Sequence, residues 1–140
     1  MKLVIDTNIV ISCLLKDSIT RKILLLSGFE FYLPEYSLDE IVNHRKEILN
    51  RSGLSKEELD ILLSILLTYI DIIDEEKIKN HFDEAKRIIG SIDLTDVPFI
   101  ALCLAVPNDG IWTNDIHFEQ QKQIKVWKTY ELAKIVFGNK

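Results

Sequence analysis

The sequence predicts an α/β fold, a three-layer α/β/α sandwich around a central, mainly parallel sheet of about five short strands. Short apolar runs alternate along the chain with longer segments of helical periodicity, as is typical of parallel sheets. Two of these runs end directly in an aspartate, at the edge of the sheet where open α/β folds bind ligands. A length of 140 residues suits one domain with an ample core, so residues 1–140 are predicted to form a single domain.

The first half of the chain is predicted to contain two strands and four helices. In order, these are a strand at 2–6, helices at 9–15 and 18–27, a strand at 29–33, a helix from 37 to about 50 and a helix from 55 to about 68. Gly28 stands where a helix commonly ends. Ser37-x-x-Glu40 and Ser55-x-x-Glu58 are capping-box patterns, which predict the starts of the last two helices.

The second half is predicted to contain up to three strands and three helices. In order, these are a short strand at 69–73, a helix at 78–89, a loop at 90–95, a helix at 97–105, strands at 111–113 and 124–127, and a helix at 129–136. Pro98 is tolerated because it lies in the first turn of its helix. Thr129 is expected to cap the last helix.

Composition excludes several classes of protein. The composition, with 47% apolar and 28% charged residues, is typical of a globular protein, and no apolar run is long enough to span a bilayer. Asp6 and Asn8 interrupt the first apolar stretch before a signal peptide could form, so a cytoplasmic location without membrane contact is expected. Cys13 and Cys103 lack the neighbours of a zinc or redox site and are predicted to be buried free thiols.

Four acidic residues stand at the ends or beginnings of apolar segments. Asp6 closes the first strand, and Asp115 follows the strand at 111–113. Glu40 lies one turn into the helix after the second strand, and Asp96 directly precedes the apolar helix at 97–105. Carboxylates gathered in one crevice repel each other unless they share protons or hold a cation. An all-oxygen site of this kind favours Mg²⁺ or Mn²⁺.

These segments resemble the PIN-domain nucleases, and VapC-like toxin ribonucleases in particular. The likeness spans almost the whole chain and rests on Leu3-Val4-Ile5-Asp6-Thr7-Asn8, on Glu40, on the segment from Asp96 to Ala105, and on Ile111-Trp112-Thr113-Asn114-Asp115. The resemblance implies that Asp6, Glu40, Asp96 and Asp115 are catalytic and bind Mg²⁺ or Mn²⁺. It further implies endonucleolytic hydrolysis of single-stranded RNA, which leaves a 5′-phosphate, and a toxin role with a possible antitoxin protein as partner.

Two of the acids also have purely structural interpretations. Asp6 is a turn-forming residue that could cap the next helix, while Asn8 could orient Asp6 or serve as the cap itself. Glu40 could bond back to the Ser37 amide as part of the capping box. Glu35 and Asp39 lie nearby and are alternative acids to Glu40.

The segments around the other two acids leave similar choices. Asp96 could be a helix N-cap, and Asp93, one turn earlier, is a candidate supporting acid. The hydroxyl of Thr113 is expected to support a carboxylate or a water beside Asp115. His117 is interpreted as a bystander, because a lone histidine in a loop seldom serves as a catalyst.

The helix around residues 54–69 is apolar on more than one face. Such a helix needs partners on both sides, so we expect it to lie between the core and a second subunit in a homodimer. Docking of an antitoxin and full enclosure within one subunit are the alternatives. The net charge of −5 argues against RNA binding by general phosphate neutralisation, although four of those charges are the proposed ligands. Candidate RNA-guiding residues are Arg45, Lys46, Lys86, Arg87, Lys122 and Lys125.

Two other functions compete with the nuclease hypothesis. A catalytically inactive module that binds RNA or protein would keep the fold, but a degenerate site is expected to have lost at least one acid. A phosphatase of the haloacid-dehalogenase type also begins with an aspartate at a strand end. That class needs a second aspartate two residues later, where this chain has Asn8.

Overall fold

The computed structural model describes residues 1–16 and 18–138, and its centre is a five-stranded sheet. The strands are β1 (Lys2–Ile5), β2 (Glu30–Pro34), β3 (Ile70–Ile73), β4 (Ile111–Trp112) and β5 (Val126–Trp127). They lie in the order β3-β2-β1-β4-β5, and every neighbouring pair is parallel. The predicted parallel sheet of about five short strands is therefore confirmed.

Helices cover both faces of this sheet. They are α1 (Thr7–Leu15), α2 (Ile19–Leu26), α3 (Tyr36–Asn43), α4 (Arg45–Ser52), α5 (Lys56–Leu67), α6 (Glu75–Ile78), α7 (Phe82–Ala85), α8 (Val97–Ala105) and α9 (Thr129–Phe137). Helices α1 to α5 lie in the connections from β1 to β2 and from β2 to β3, which run toward one edge of the sheet. Helices α6 to α8 lie in the connection from β3 to β4, which runs in the opposite direction across the sheet. Right-handed crossovers place these two groups on opposite faces, which gives the predicted α/β/α sandwich. None of the described helices is long and apolar enough to cross a membrane.

The core is built around β1 and α8. Leu3, Val4 and Ile5 are completely buried, as expected for a central strand that is covered on both faces. Helix α8 packs on β1 and β2. The helix is apolar on all its faces, and most of its side chains are buried. Both cysteines are buried free thiols, as predicted.

The predicted helix from 37 to about 50 is wrong in two respects. Glu35, not Ser37, precedes the first helical residue, and Ser37 lies inside α3 with its side chain buried. The helix also stops at Asn43 and restarts at Arg45. The intervening His44 places Nδ1 2.8 Å from the Glu40 carbonyl oxygen. The break lies in the backbone of His44 itself, whose φ of −98° and ψ of 5° are not helical.

Several boundaries in the second half of the chain also differ from prediction. The helix expected at 78–89 begins earlier, at Glu75, and is divided by a 3₁₀ turn at Lys79–His81 before a π-helical turn at Lys86–Gly90. Part of the loop expected at 90–95 forms a 3₁₀ turn at Leu94–Asp96. Lys128, not Thr129, is the N-cap of α9. Thr129 is the first helical residue, and its hydroxyl accepts a hydrogen bond from the Trp112 indole. The capping box at Ser55 is confirmed.

Candidate metal-binding cleft

The four predicted acids line one cleft of about 220 Å³ at the carboxyl edge of the sheet. They come from separate parts of the chain, namely the end of β1, helix α3, the start of α8 and the segment after β4. Parallel strands point their carboxyl ends to the same edge, so segments distant in sequence converge there. The structure thus brings together Asp6, Glu40, Asp96 and Asp115.

Asp6 joins β1 to α1 and is almost fully buried. Its Oδ1 accepts a hydrogen bond from the Ile9 amide (3.0 Å), which makes Asp6 the N-cap of α1. Its Oδ2 accepts a hydrogen bond from the Thr113 hydroxyl. Burial raises the pKa of Asp6 to about 6, although both hydrogen bonds act to lower it. The charges of Asp115 and Glu40 raise this pKa further.

Thr113 links two of the acids. It is completely buried after β4, where its Oγ1 donates to Asp6 and accepts a hydrogen bond from the Asp115 amide (3.0 Å). The Asp6 carboxylate and the backbone that carries Asp115 are therefore held by a single hydroxyl. The sequence predicted that this hydroxyl supports a carboxylate or a water, and the carboxylate that it contacts is that of Asp6.

Glu40 faces the cleft rather than its own helix terminus. The Thr7 hydroxyl donates a hydrogen bond to Glu40 Oε1 and lies 2.8 Å from the Ser37 hydroxyl. The capping-box interpretation of Ser37 and Glu40 is therefore wrong. The alternative acids Glu35 and Asp39 line a separate cavity.

Asp96 is the acid that fits a cation most clearly. It is only 7% exposed, and its side chain makes no capping hydrogen bond although it precedes α8. Within the described residues, its Oδ2 is buried without a hydrogen-bond partner. Burial raises the pKa of Asp96 to about 7, and the nearby charges of Asp93 and Asp115 add to the effect. A buried carboxylate beside other acids is costly unless it is protonated or paired, so this donor set fits a hard divalent ion.

Asp93 and His117 complete this side of the cleft. Asp93 Oδ1 accepts hydrogen bonds from the Thr95 amide (2.9 Å) and hydroxyl (2.7 Å), and these bonds lower the pKa of Asp93. Asp93 Oδ2 lies 3.3 Å from His117 Nδ1. The 3₁₀ turn at Ile116–Gln120 begins with Asp115 Oδ1 accepting a hydrogen bond from the His117 amide (2.9 Å). Sequence reasoning missed this placement of the His117 ring; its only signal was a position two residues after Asp115.

Asn8 is exposed in the first turn of α1 and lines the cleft. Among the described contacts, its side chain forms no hydrogen bond with Asp6, which is oriented by Ile9 and Thr113 instead. Both roles considered for Asn8, as the cap and as the group that orients Asp6, are therefore wrong.

Three of the six candidate RNA-guiding residues are engaged elsewhere within the chain, and one of them is Lys122, whose Nζ lies 3.5 Å from the Glu119 carbonyl oxygen. Arg45 pairs with Asp60 at 2.7 Å, and Lys125 Nζ lies 4.9 Å from the centre of the Trp127 ring. Lys46, Lys86 and Arg87 are exposed. A further cation lies near Asp115, since Lys128 Nζ donates a hydrogen bond to the Asn114 carbonyl (3.2 Å).

The fold and the cleft together define a class of protein. It is a parallel α/β domain with a cleft at the carboxyl edge of its sheet, where acidic side chains lie close enough together to bind a cation. The family model for the PIN domain matches residues 4–134, and the chain belongs to this family.

One solved structure extends the comparison of folds. The chain is similar to a chain in the crystal structure of VapBC2 from Rickettsia felis bound to a DNA fragment from their promoter. The two share 20% sequence identity over 91% of this chain and 98% of that chain, with a TM-score of 0.69. At this identity the likeness shows a common fold. Among curated proteins, no sequence matches this chain.

Proposed function

We propose that this protein is a metal-dependent endoribonuclease that hydrolyses phosphodiester bonds of single-stranded RNA. The observation that carries the proposal is the meeting of four distant acids in one cleft, where Asp96 Oδ2 is buried without a hydrogen-bond partner among the described residues. Membership of the PIN domain family supports the same conclusion.

Asp6, Glu40, Asp96 and Asp115 would hold Mg²⁺ or Mn²⁺. Such an ion polarises the phosphodiester and lowers the pKa of a bound water. The chain itself holds the acids in position, because hydroxyls of Thr7 and Thr113 donate to Glu40 and Asp6. With pKa values of about 6 and 7, Asp6 and Asp96 are partly protonated near neutral pH, so binding of the ion would release protons.

Charge makes the approach of RNA dependent on the ion. The net charge of the chain is −5, and the cleft is lined by five acidic residues, namely Asp6, Glu40, Asp93, Asp96 and Asp115. A polyanion is repelled by this cluster until divalent cations neutralise it. RNA binding is therefore proposed to require the metal.

We place the protein as the toxin of a toxin–antitoxin pair in the cytoplasm, acting as a single domain. The VapC-like motifs of the sequence and the fold shared with a chain of the VapBC2 structure support this setting. An antitoxin protein would be the natural partner.

A second copy of the chain is the other proposed partner. Helix α5 leaves Ile61 (62%) and Ile65 (47%) exposed, and Tyr69 (46%) continues the same stripe beyond its end. Residues spaced by four lie on one face of a helix. The full enclosure of this helix, considered from the sequence, is therefore wrong, and pairing of this stripe in a homodimer would cover it.

Cleavage of single-stranded RNA with Mg²⁺, Mn²⁺ or EDTA tests the proposed activity, with wild type compared to Asp6→Asn and Asp96→Asn. We expect cleavage with either metal, none with EDTA, and a rate loss on the order of 100-fold or more in both variants, because even partners outside the ligand set are worth 10–100-fold. Asp71→Asn is the matched control, since Asp71 is an exposed aspartate on β3.

Circular dichroism must show that both variants fold. Full activity in either folded variant would remove that residue from the site. Absence of any metal-dependent cleavage by the wild type would favour the inactive RNA-binding or protein-interaction module instead.

A further inference from the structure

We propose that Asp93, Asp96 and His117 form a mixed carboxylate–imidazole cation position that takes a first-row transition ion such as Mn²⁺ in preference to Mg²⁺. The inference rests on the proposed metal dependence of the cleft. It adds a nitrogen ligand, His117, to an otherwise all-oxygen site.

The distances between the three side chains match those between ligands of one ion. One oxygen of each carboxylate and one ring nitrogen lie within 4.8 Å of one another. His117 Nδ1 is 3.3 Å from Asp93 Oδ2 and 3.7 Å from Asp96 Oδ2. Ligand atoms that each lie roughly 2.1 Å from an octahedral ion are separated by about 3 Å when adjacent. Only a small adjustment is needed to close the position around an ion.

Two atoms of this cluster point to a missing partner. Within the described residues, Asp96 Oδ2 and His117 Nδ1 are both buried without a hydrogen bond, and Asp96 as a whole is 93% buried. Buried polar atoms in native proteins nearly always have a partner. An ion between the two atoms would satisfy both at once.

The chain already holds the Asp93 carboxylate and the backbone that carries His117. Asp93 Oδ1 accepts two hydrogen bonds from Thr95, which leaves Oδ2 directed at the His117 ring. The short turn after Asp115 holds the backbone of His117 through its amide. Ligands held in this way lose little conformational entropy when an ion binds.

A protonated His117 is the competing explanation, since an imidazolium could itself be the cation among these acids. Its Nδ1 lies 3.3 to 3.7 Å from oxygens of Asp93, Asp96 and Asp115. It makes no hydrogen bond of proper geometry with any described group. An imidazolium has no free nitrogen lone pair and cannot ligate an ion, so nitrogen coupling to bound Mn²⁺ distinguishes the two explanations.

The nitrogen decides the class of ion. Mg²⁺ binds almost entirely through oxygen, whereas imidazole is a good ligand for first-row transition ions. Mn²⁺ accepts both kinds of ligand and is visible by electron paramagnetic resonance, so it is the probe of choice.

The experiment measures Mn²⁺ and Mg²⁺ binding without RNA, together with nitrogen hyperfine coupling to bound Mn²⁺ by pulsed electron paramagnetic resonance. We expect ¹⁴N coupling in wild type that changes to the ¹⁵N pattern with ¹⁵N-labelled histidine. His117→Ala and His117→Gln should both lose the coupling and bind Mn²⁺ about 10–100-fold more weakly. Their Mg²⁺ affinity should change by less than about threefold.

The other two histidines of the chain provide matched controls, His44→Gln and His81→Gln. His44 also lines the cleft, but its Nδ1 already contacts the Glu40 carbonyl oxygen. Coupling that persists in the His117 variants, or that disappears in His44→Gln, would overturn the assignment. Mn²⁺ binding that is equally tight in wild type and His117→Ala would also overturn it while leaving the nuclease proposal intact. A wild type that binds no divalent ion would overturn both.

Discussion

At the scale of single residues, Asp6 combines a structural and a proposed functional role. Its two oxygens accept hydrogen bonds from the Ile9 amide and the Thr113 hydroxyl, yet burial still raises its pKa to about 6. The native state therefore binds a proton more tightly than the unfolded chain does. Without metal, the charged form of Asp6 is a source of instability.

This property predicts a pH dependence for the metal-free protein. The pKa of Asp6 lies above its ordinary value of 3.8, so its contribution to stability is greatest below pH 4 and is lost as the pH rises through 6. Since one pKa unit corresponds to about 1.4 kcal/mol, the loss is roughly 3 kcal/mol at most. Asp6→Asn removes the titrating group. In EDTA, the free energy of unfolding of Asp6→Asn relative to that of the wild type should therefore increase as the pH rises from 4 to 8.

Urea unfolding at several pH values measures this difference, and Asp71→Asn, at an exposed aspartate on β3, serves again as the control. A constant difference between Asp6→Asn and wild type from pH 4 to pH 8 would contradict the account. Addition of Mn²⁺ at pH 8 should then stabilise the wild type and have a smaller effect on Asp6→Asn.

At the scale of elements, Gly110 controls how β4 enters the sheet. Its φ of +131° is in the region that favours glycine, and its carbonyl accepts a hydrogen bond from the Val4 amide (3.0 Å). A Cβ at this position would lie 2.4 Å from the Lys125 carbonyl oxygen. Strand β4 carries the chain to Thr113 and Asp115, so this glycine also affects the cleft.

Gly110→Ala is expected to lower the free energy of unfolding by about 3–4 kcal/mol, because it combines backbone strain with a clash against main chain. Gly53→Ala is the control, since Gly53 also has positive φ (+74°) but has no atom within 4 Å of the added Cβ. That change should cost only roughly 1–2 kcal/mol. If urea unfolding gave the same loss of unfolding free energy for Gly110→Ala and Gly53→Ala, the clash with the Lys125 carbonyl would not contribute to the effect.

Helices α3 and α4 show the limit of local patterns at this scale. The sequence predicted one helix from 37 to about 50, whereas the structure has two helices, α3 and α4. The break is a change of backbone conformation at the single residue His44, which periodicity does not encode. By contrast, the capping box at Ser55 is a local motif, and it was predicted correctly.

At the scale of the whole molecule, the exposed stripe on α5 predicts a homodimer. Ile65→Glu would place a charge in the centre of the proposed interface, at the cost of burying it unpaired. We expect the wild type to elute as a dimer and Ile65→Glu as a folded monomer in size-exclusion chromatography with light scattering. Ile135→Glu on α9 is the control, because Ile135 is similarly exposed (53%) but lies on another helix. A monomeric wild type would refute the proposed dimer.

The sequence by itself determined the α/β/α sandwich, the order of its elements and the four acids that line the cleft. Alternating periodicities, strand-end aspartates and the Ser55 cap depend on neighbours within a few residues, so they can be predicted from a single chain. Tertiary structure alone decided the partners of those acids. Thr113 donates to Asp6 across 107 residues of sequence, and Thr7 reaches Glu40 across 33. Whether a hydroxyl or an imidazole meets a given carboxylate depends on how distant segments pack, and so His117 was missed.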